Sequence, residues 1–307
     1  MCITSSSSTM SKTSIYVGEG KYQDQDVHVM AYQNTAENLS GGPNAMVLPF
    51  PTKTPMSQDN MIDTRKFSHF LKDITKASQM VFRSMTLGGG SRRNVTKGGF
   101  DSLAAVFDVG SYTVILADNV GQIPEAVGRV PENKRPNFTA EFLEGMGKLY
   151  PEQPIAVCCF DGKIEAEPLL WWYVPTDSST FFAPTMDAHD GRAPVVNAMV
   201  DVDHVISTGS YDDSRIGHHN KVYYTETIPE EVRSLLPNYA FGKKWQDVYN
   251  NGDTFIKLGN STEGDKYSDM PLAVRGPNSE VLPSGESLLK DAYRNLVYKK
   301  FYLSGWS

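Results

Sequence analysis

The sequence predicts an α+β fold made mainly of antiparallel β-sheet, with a few covering helices and with a two-sheet core as one arrangement left open. Short apolar runs of strand length follow one another closely, and turn-forming pairs such as Asp161-Gly162 and Asp190-Gly191 separate several of them. Stretches of helical periodicity are few, which disfavours a doubly wound parallel sheet. At 307 residues the chain can bury a large core, and we expect a single domain, 1–307.

The first third of the chain is predicted to form a meander of short strands and then one helix. Three apolar runs (SIYV, VHVMAY and AMVL) have the alternation or the flanking turn residues of strands. Asp63 is a candidate N-cap for a helix that ends at the three glycines 88–90. Residues 88–100 (GGGSRRNVTKGGF) are predicted to form a mobile loop within the domain. The apolar residues of the helix recur at spacings of three and four: Phe67, Phe70, Leu71, Ile74, Val81 and Met85.

Strands are predicted to dominate the rest of the chain, with three further helices. Helices are expected at 138–149, at 229–236 and from Ser287 to about Tyr302, where apolar residues form a stripe. The cysteines at 158 and 159 are adjacent in a predicted strand, so their side chains should point to opposite faces. The predicted strands are AAVFDV, YTVILAD, PIAVCCF, PLLWWYV, TFFAPT, AMVDVDHVI and KVYYTE.

Composition and charge argue against several classes of function. The chain has 36 acidic and 29 basic residues and a net charge of −7, which disfavours binding to the phosphate backbone of nucleic acid. No stretch approaches the length of a membrane span, and the first residues lack the apolar run of a secretory signal. Three cysteines, an odd number, suit a reducing compartment. We therefore expect a cytoplasmic protein, or one of a virion or other particle, that binds no membrane and no cofactor. Its expected partner is a second copy of itself or another member of an assembly.

The sharpest indication of chemistry is Cys2, which directly follows Met1. Removal of Met1 would give Cys2 a free α-amine beside its own thiol, and an amine with an ordinary pKa of about 8 can act as the base for that thiol. In this respect alone, the start of the chain resembles the N-terminal nucleophile hydrolases. Asn34 and Asn44, near the ends of early strands, are candidates to stabilise an oxyanion, although asparagine at a strand end more often serves a turn. The ordinary alternative for Cys2 is a small, partly buried thiol.

A second candidate site is a polar group set in or beside strongly apolar segments. Its members are Asp187, His189, Asp203 and His204, a set of carboxylates and imidazoles that could hold a divalent metal. In an extended strand Asp203 and His204 face opposite sides, so all four converge only if the strand bends. The structural alternative is a turn at His189 and a core histidine at 204 that a hydrogen bond satisfies.

Three phrases of the sequence resemble a loose set of proteins from bacteria, microbial eukaryotes and large DNA viruses, many of which open with Met-Cys. The phrases are QN followed by PNAMVLPFP, then DVGSYTVILADN, and FFAPTMDAHDG leading to DHVI. That set carries no established activity, substrate or cofactor, so the resemblance draws attention to positions and implies no reaction. The matching positions are Cys2, Asn34, Asn44, Ala45, Met46, Pro49, Phe182, Pro184, Thr185, His189, Gly191, Asp203 and His204.

Three functions are consistent with these residues. The first is an amide hydrolase in which the Cys2 thiolate attacks a carbonyl group. The second is a non-catalytic structural or interaction subunit of an assembly, whose aromatic strands and acidic surface make protein contacts. The third is a metal-dependent hydrolase that uses the Asp/His group. We take the hydrolase as the working hypothesis, because replacing a single residue, Cys2, would refute it.

Overall fold

Strands are the main secondary structure of the chain in the computed structural model, which describes residues 2–79, 104–210, 220–257, 272–276 and 299–300. The strands are β1 (Ile3–Thr4), β2 (Ser8–Tyr22), β3 (Gln25–Asn38), β4 (Asn44–Pro49), β5 (Met61–Ile62), β6 (Ala105–Val109), β7 (Tyr112–Ala117), β8 (Ile155–Phe160), β9 (Lys163–Glu165), β10 (Leu169–Tyr173), β11 (Thr180–Ala183), β12 (Met199–Ser210), β13 (Asn220–Lys221), β14 (Tyr239–Asn250), β15 (Asp253–Lys257), β16 (Leu272–Gly276) and β17 (Lys299–Lys300). The helices are α1 (Phe70–Ser78), α2 (Ile123–Val127), α3 (Ala140–Leu149) and α4 (Glu230–Arg233). The predicted α+β fold of mainly antiparallel sheet is confirmed.

The first sheet has five strands in the order β1-β4-β8-β7-β6, all antiparallel. Every residue of β4, β7 and β8 is buried, because both faces of this sheet are covered. Cys158 packs on the face that meets the second sheet, and Cys159 packs on the opposite face, beside α2 and α3. The prediction that these two cysteines point to opposite faces is therefore confirmed, and both are free thiols.

The second sheet has eight strands and contains the long hairpin of β2 and β3. Its order is β13-β14-β12-β2-β3-β10-β5, with β9 also paired to β3. The strand β12 runs parallel to β2 and antiparallel to β14. A third, smaller sheet has the order β11-β15-β16-β17.

The core is arranged in layers, which is what apolar residues on alternating strand positions dictate. One cluster lies between the first and second sheets and contains Ile15, Met30, Leu48 and Trp171. A second cluster lies between the outer face of the first sheet and the helices α2 and α3. A third packs α1 against the outer face of the second sheet. Two sheets with a shared core, flanked by helices, are therefore the frame of the molecule.

The structure corrects the start of the first predicted helix. Asp63 does not cap it, because its Oδ2 atom lies 2.6 Å from Nη2 of Arg65 in an ion pair, and α1 begins only at Phe70. The residue before α1, His69, makes no capping hydrogen bond through its side chain. Val81, Met85 and the predicted loop at 88–100 lie outside the described residues.

The other predicted elements have mixed outcomes. The helix at 138–149 is confirmed as α3, and the hydroxyl of Thr139 caps it by accepting a hydrogen bond from the Phe142 N–H at 3.1 Å. The helix predicted at 229–236 is shortened to the four residues of α4. Pro237 disfavours helical geometry at the residue before it, Leu236. Within the helix predicted from Ser287, the described residues form β17 and pair with β16.

Strand prediction failed in part. Of the run KVYYTE only its first residue is in a strand, and the long strand β14 and its continuation β15 were not predicted. The runs TFFAPT and AMVDVDHVI contain β11, which pairs with β15, and most of β12, which pairs with β14 and β2. No helix among the described residues is long and apolar enough to cross a membrane.

Candidate functional site

The chain segment around His189 is tied to the amino-terminal strand by backbone hydrogen bonds. The N–H of Ala188 donates to the Cys2 carbonyl at 3.1 Å, and the N–H of Thr4 donates to the Ala188 carbonyl at 2.9 Å. Further along, the N–H of Ser8 donates to the His189 carbonyl at 3.0 Å. These bonds bring together two parts of the sequence that are almost 190 residues apart.

Gly191 allows this close approach. Its φ angle of +78° lies in the left-handed region, where a side chain is strained. A Cβ atom at this position would also lie 2.7 Å from the Ser5 carbonyl oxygen and 3.1 Å from the Cα atom of Ser6. Only glycine therefore lets the chain turn away directly after His189 while it lies against the amino-terminal strand.

Cys2, His189 and Asp187 form a chain of interacting side chains. The Cys2 side chain lies near enough to the His189 ring to interact with it, and Nε2 of that ring lies 2.8 Å from Oδ1 of Asp187. The nitrogen and the oxygen are close, but they are not aligned as a full hydrogen bond, so we describe this contact as an ion pair. Thiol, imidazole and carboxylate in this order are the groups that nucleophilic catalysis by cysteine uses.

The surroundings of His189 favour its protonated form. Burial alone would lower the pKa of the ring, but the adjacent Asp187 carboxylate and Cys2 side chain outweigh it and raise the pKa to about 9. At neutral pH the ring is therefore a cation. A cation in contact with a cysteine sulfur stabilises the thiolate, which is the nucleophilic form of the residue.

Cys2 is the most buried of these three residues, and His189 is the most exposed. The side chains of His189 and Asp187 are 26% and 13% exposed, whereas Cys2 is 2% exposed and belongs to the core between the two large sheets. The phenols of Tyr32 and Tyr112 lie behind Cys2, and burial raises the pKa of each well above its usual value. His189 and Asp187 are therefore the partly exposed residues next to the buried thiol.

Two residues at the junction of β14 and β15 fix the segment that carries Asp187. The Asn251 side chain accepts a hydrogen bond from the Asp187 N–H at 2.8 Å and donates one to the Asp187 carbonyl at 2.7 Å. The Asp253 carboxylate is fully buried and accepts hydrogen bonds from the N–H groups of Thr185 and Met186, at 2.8 and 2.9 Å. Sequence reasoning missed both, because Asn251-Gly252-Asp253 reads as an ordinary turn between strands.

Asn44, a predicted oxyanion group, has a structural role. Its Oδ1 atom accepts hydrogen bonds from Ser5 Oγ, from the Ser6 N–H and from the Ala45 N–H, at 2.8–3.0 Å. Its Nδ2 group donates to the carbonyls of Ser6 and Ser7, at 3.0 and 3.3 Å. Because both ends of this amide are engaged in the turn between β1 and β2, the geometry gives no support to a role at an oxyanion.

Asn34 lies in the second layer around Cys2. Its Nδ2 group faces weak acceptors, the sulfur atoms of Met10 and Met46 at 3.3 and 3.6 Å and the Tyr32 hydroxyl at 3.5 Å. Its Oδ1 atom is buried and has no hydrogen-bond partner among the described residues. The oxyanion role for Asn34 stays a prediction. The Asn34 amide interacts with Tyr32, and Cys2 interacts with the same tyrosine.

Three of the four residues of the predicted metal site, Asp187, His189 and Asp203, line one cavity, and His204 does not. Asp203 is exposed and lies 3.4 Å from Lys244, with the distance measured between Oδ1 and Nζ. His204 is 1% exposed on the opposite face of β12, where its ring stacks on Trp245. Among the described residues, no group of three or more His, Cys, Asp or Glu side chains is close enough to hold a metal ion. The prediction that Asp203 and His204 face opposite sides agrees with this arrangement.

An open cleft adjoins His189, where β2 and β12 separate. The strand β12 pairs with β14 along its whole length but with β2 only from His204 to Gly209. Residues 8–12 of β2 and 199–203 of β12 therefore face each other without pairing, and we call this gap the strand fork. Its cavity has a volume of about 380 Å³. The residues that line it are Thr9, Met10, Asp187, His189, Val200, Asp201 and Asp203.

Comparison with known proteins gives one distant similarity in fold. No protein-family model matches the chain, and no curated protein matches it either. Among solved structures, the chain is similar to the crystal structure of baculovirus P35, with 14% sequence identity and a TM-score of 0.42. The similarity covers 89% of this chain and 91% of that chain.

Proposed function

We propose that the protein is a thiol-dependent amide hydrolase in which Cys2 is the nucleophile, His189 the general base and Asp187 the group that orients the imidazole. The observation that carries this proposal is the contact series from the Cys2 side chain to the His189 ring and from His189 Nε2 to Asp187 Oδ1, at 2.8 Å. The sequence-based hypothesis assigned proton transfer to the α-amine of Cys2. With His189 as the base, the proposal does not require that this amine be free.

The reaction divides into two balanced steps. The reaction starts with the proton of the thiol on His189. In the first step, the Cys2 thiolate bonds to the substrate carbonyl carbon, and the carbon–nitrogen bond breaks as the His189 cation gives its proton to the leaving amine. In the second, the neutral His189 takes a proton from water, the resulting hydroxide attacks the thioester carbon, and the carbon–sulfur bond breaks to restore the thiolate beside the His189 cation. No metal or other co-reactant is needed.

The burial of Cys2 sets the direction of approach. A substrate carbonyl can reach the sulfur from the side of His189, which is the partly exposed member of the series. The strand fork opens next to that ring. Entry through the fork would displace the water around His189, which strengthens its electrostatic interaction with the thiolate.

The first test is site-specific reactivity of the thiol. Iodoacetamide at near-neutral pH, followed by peptide mass mapping, should alkylate Cys2 well before Cys158 and Cys159, because burial raises the pKa of those two thiols, that of Cys159 to about 12. The substitution His189→Gln should slow the labelling of Cys2 by roughly a hundredfold. The matched control is His69→Gln, which removes a mostly exposed imidazole elsewhere and should change nothing.

The second test is turnover. Cys2→Ser should abolish hydrolysis of a thioester or activated amide substrate, with the fold preserved because serine has nearly the same shape. Labelling of Cys2 no faster than that of Cys158, or full activity in Cys2→Ser, would exclude the proposal. Intact mass measured on the same sample gives the state of Met1 and decides whether the α-amine can contribute.

A second candidate function, the non-catalytic interaction subunit, is favoured by an exposed apolar patch beside the fork. Val195, Met199 and Val248 are 68%, 64% and 50% exposed. Met199 and Val248 lie on the same face of the β12–β14 pair. Native mass spectrometry should then reveal an oligomer that Met199→Ser together with Val248→Ser disrupts, whereas Leu39→Ser, at an exposed leucine elsewhere, should not. A monomer with a reactive Cys2 would leave the hydrolase as the explanation.

A further inference from the structure

Both strands of the strand fork present an unpaired edge to the gap. Along a strand, alternate residues direct their N–H and C=O groups to opposite sides, so a strand paired on one side only leaves half of these groups without a ladder partner. Among the described residues, 9–11 of β2 pair with β3 alone and 199–203 of β12 pair with β14 alone, whereas the Ser8 N–H already donates to the His189 carbonyl. No described backbone hydrogen bond joins the two edges across the gap.

A β-bulge makes the fork a fixed feature of the fold. The pairing of β2 with β3 shifts register between Ser11 and Ser14, and Lys12 within the bulge has a φ angle of +53°. Bulges bend a strand and end its pairing with a neighbour. The parallel pairing with β12 resumes just after the bulge, at Thr13 and His204. The bulge therefore directs the first residues of β2, before Lys12, away from β12.

Three carboxylates line the cavity of the fork together with the His189 ring, and the exposed Lys12 belongs to the facing strand. Two of its carboxylates have a cation nearby, since Asp187 contacts His189 at 2.8 Å and Asp203 contacts Lys244 at 3.4 Å. Asp201 is exposed and forms no ion pair among the described residues. A ligand that lies in the fork therefore meets one carboxylate whose charge is not balanced, and a lysine or arginine side chain matches it.

We infer that the strand fork binds an extended polypeptide segment as a β-strand added to the edge of β12, with a lysine or arginine of that segment against Asp201. Added strands gain affinity from backbone hydrogen bonds and specificity from alternate side chains. The inference rests on the proposed function and names its substrate class, because the fork adjoins the segment in which the Ser8 N–H donates to the His189 carbonyl. A bound strand thus presents a peptide carbonyl beside the thiol and imidazole pair. Met199, exposed on β12, provides an apolar contact at the outer end of the fork.

Binding is tested without turnover, on the Cys2→Ala variant of the full chain. The probe is a fluorescein-labelled seven-residue peptide of alternating valine and threonine around a central lysine, followed by fluorescence anisotropy. A matched peptide has glutamate at the centre, and two further versions are N-methylated at odd or at even positions. We expect the lysine peptide to bind about tenfold more tightly than the glutamate peptide. Methylation of one set of positions should weaken binding about tenfold, and methylation of the other set should leave it nearly unchanged.

The substitution Asp201→Asn should remove most of the preference for lysine over glutamate. Its matched control is Asp247→Asn, at an exposed aspartate on the other face of the β12–β14 pair, which should leave the preference intact. Equal effects of the two methylation patterns, or a preference that survives Asp201→Asn, would overturn the inference. Alkylation of Cys2 by iodoacetamide, measured separately, reports on the thiol alone. A reactive thiol without peptide binding refutes only the substrate class, whereas peptide binding with an inert thiol refutes only the hydrolase.

Discussion

Among the residues that support the candidate site without belonging to it, Asp253 is the one whose substitution should disturb the site most. Its carboxylate is fully buried and accepts three hydrogen bonds, from the N–H groups of Thr185 and Met186 and from the Tyr150 hydroxyl, at 2.8, 2.9 and 3.0 Å. Thr185 and Met186 directly precede the site residue Asp187 along the chain. The substitution Asp253→Ala would leave three buried donors without this acceptor.

The magnitude follows from the number of donors. A buried donor left without a partner costs about 1–3 kcal/mol, and effects within one network do not add fully, so Asp253→Ala should lower the free energy of unfolding by roughly 3–6 kcal/mol. That is a large part of the roughly 5–15 kcal/mol that stabilises a typical domain. Asp253→Asn keeps one carbonyl oxygen and the shape, so it should cost only about 1–2 kcal/mol.

The assay is guanidinium unfolding followed by tryptophan fluorescence, with linear extrapolation to water. Asp247→Ala, at an exposed aspartate of β14, is the matched control and should stay within about 0.5 kcal/mol of the parent chain. Should Asp253→Ala fail to fold, the smaller loss in Asp253→Asn still tests the argument. A loss below about 0.5 kcal/mol in Asp253→Ala would show that these donors find other partners and would refute the reasoning.

Three further predictions concern pH and one glycine. Burial lowers the pKa of His28 from 6.5 to about 4, so the unfolded chain takes up the proton first and stability should fall as the pH drops from 6.5 to about 4; His28→Phe should flatten this slope in unfolding measured across that range. The raised pKa of His189, about 9, has the opposite sign: its stabilising contact with Asp187 is fully present below pH 6.5 and should be lost as the pH rises through about 9, and Asp187→Asn should remove this dependence. Gly191→Ala should destabilise the chain by roughly 2 kcal/mol or more in thermal unfolding, whereas Gly162→Ala, with a similar φ of +71° but nothing within 4 Å of the added Cβ, should cost only about 1 kcal/mol. Equal costs at the two glycines would mean that the close approach behind Gly191 is unimportant.

The strands that could be predicted from sequence are those whose burial is decided locally. The runs AMVL, YTVILAD and PIAVCCF became β4, β7 and β8, in which every residue is buried, so their continuous apolar character was sufficient. The sequence of β14 (YAFGKKWQDVYN) contains aromatic residues and a valine that favour strands, but a glycine, two lysines and an aspartate interrupt any continuous apolar run. Its twelve residues are extended because they pair with β12 along its whole length, and pairing between distant segments is not visible in a local pattern.

The residues of the candidate site could be predicted from sequence, but their contacts with one another could not. Cys2, Asp187 and His189 were each recognisable as chemically capable residues, but the sequence assigned the thiol to one hypothesis and the other two to a metal site. What joins them is the backbone pairing of the amino-terminal strand with Ala188, between residues far apart in sequence. The supporting Asn251 could not have been singled out, because asparagine before glycine is common in turns.

The orientation of the Cys2 thiol depends on the register of a very short strand. β1 pairs with β4 at only two positions, Ile3 with Val47 and Thr4 with Met46, and this places Ile3 in the outer cluster and Cys2 in the cluster between the sheets. A shift of one residue would exchange the two faces and move the sulfur to the opposite side of the sheet.

Two residue pairs are too few to fix a register by themselves, and two further sets of hydrogen bonds hold this strand. One set joins it to the backbone of Ala188. The other lies in the flanking turn, where the Asn44 amide accepts hydrogen bonds from Ser5 Oγ and the Ser6 N–H and donates to the carbonyls of Ser6 and Ser7. The residue predicted to stabilise an oxyanion therefore acts on the thiol in another way, by setting the side of the sheet to which the Cys2 side chain points. Asn44→Ala should therefore reduce the rate at which iodoacetamide alkylates Cys2. Among the described residues, no hydrogen bond joins Asn44 to Cys2, His189 or Asp187, so this effect would come from the register alone.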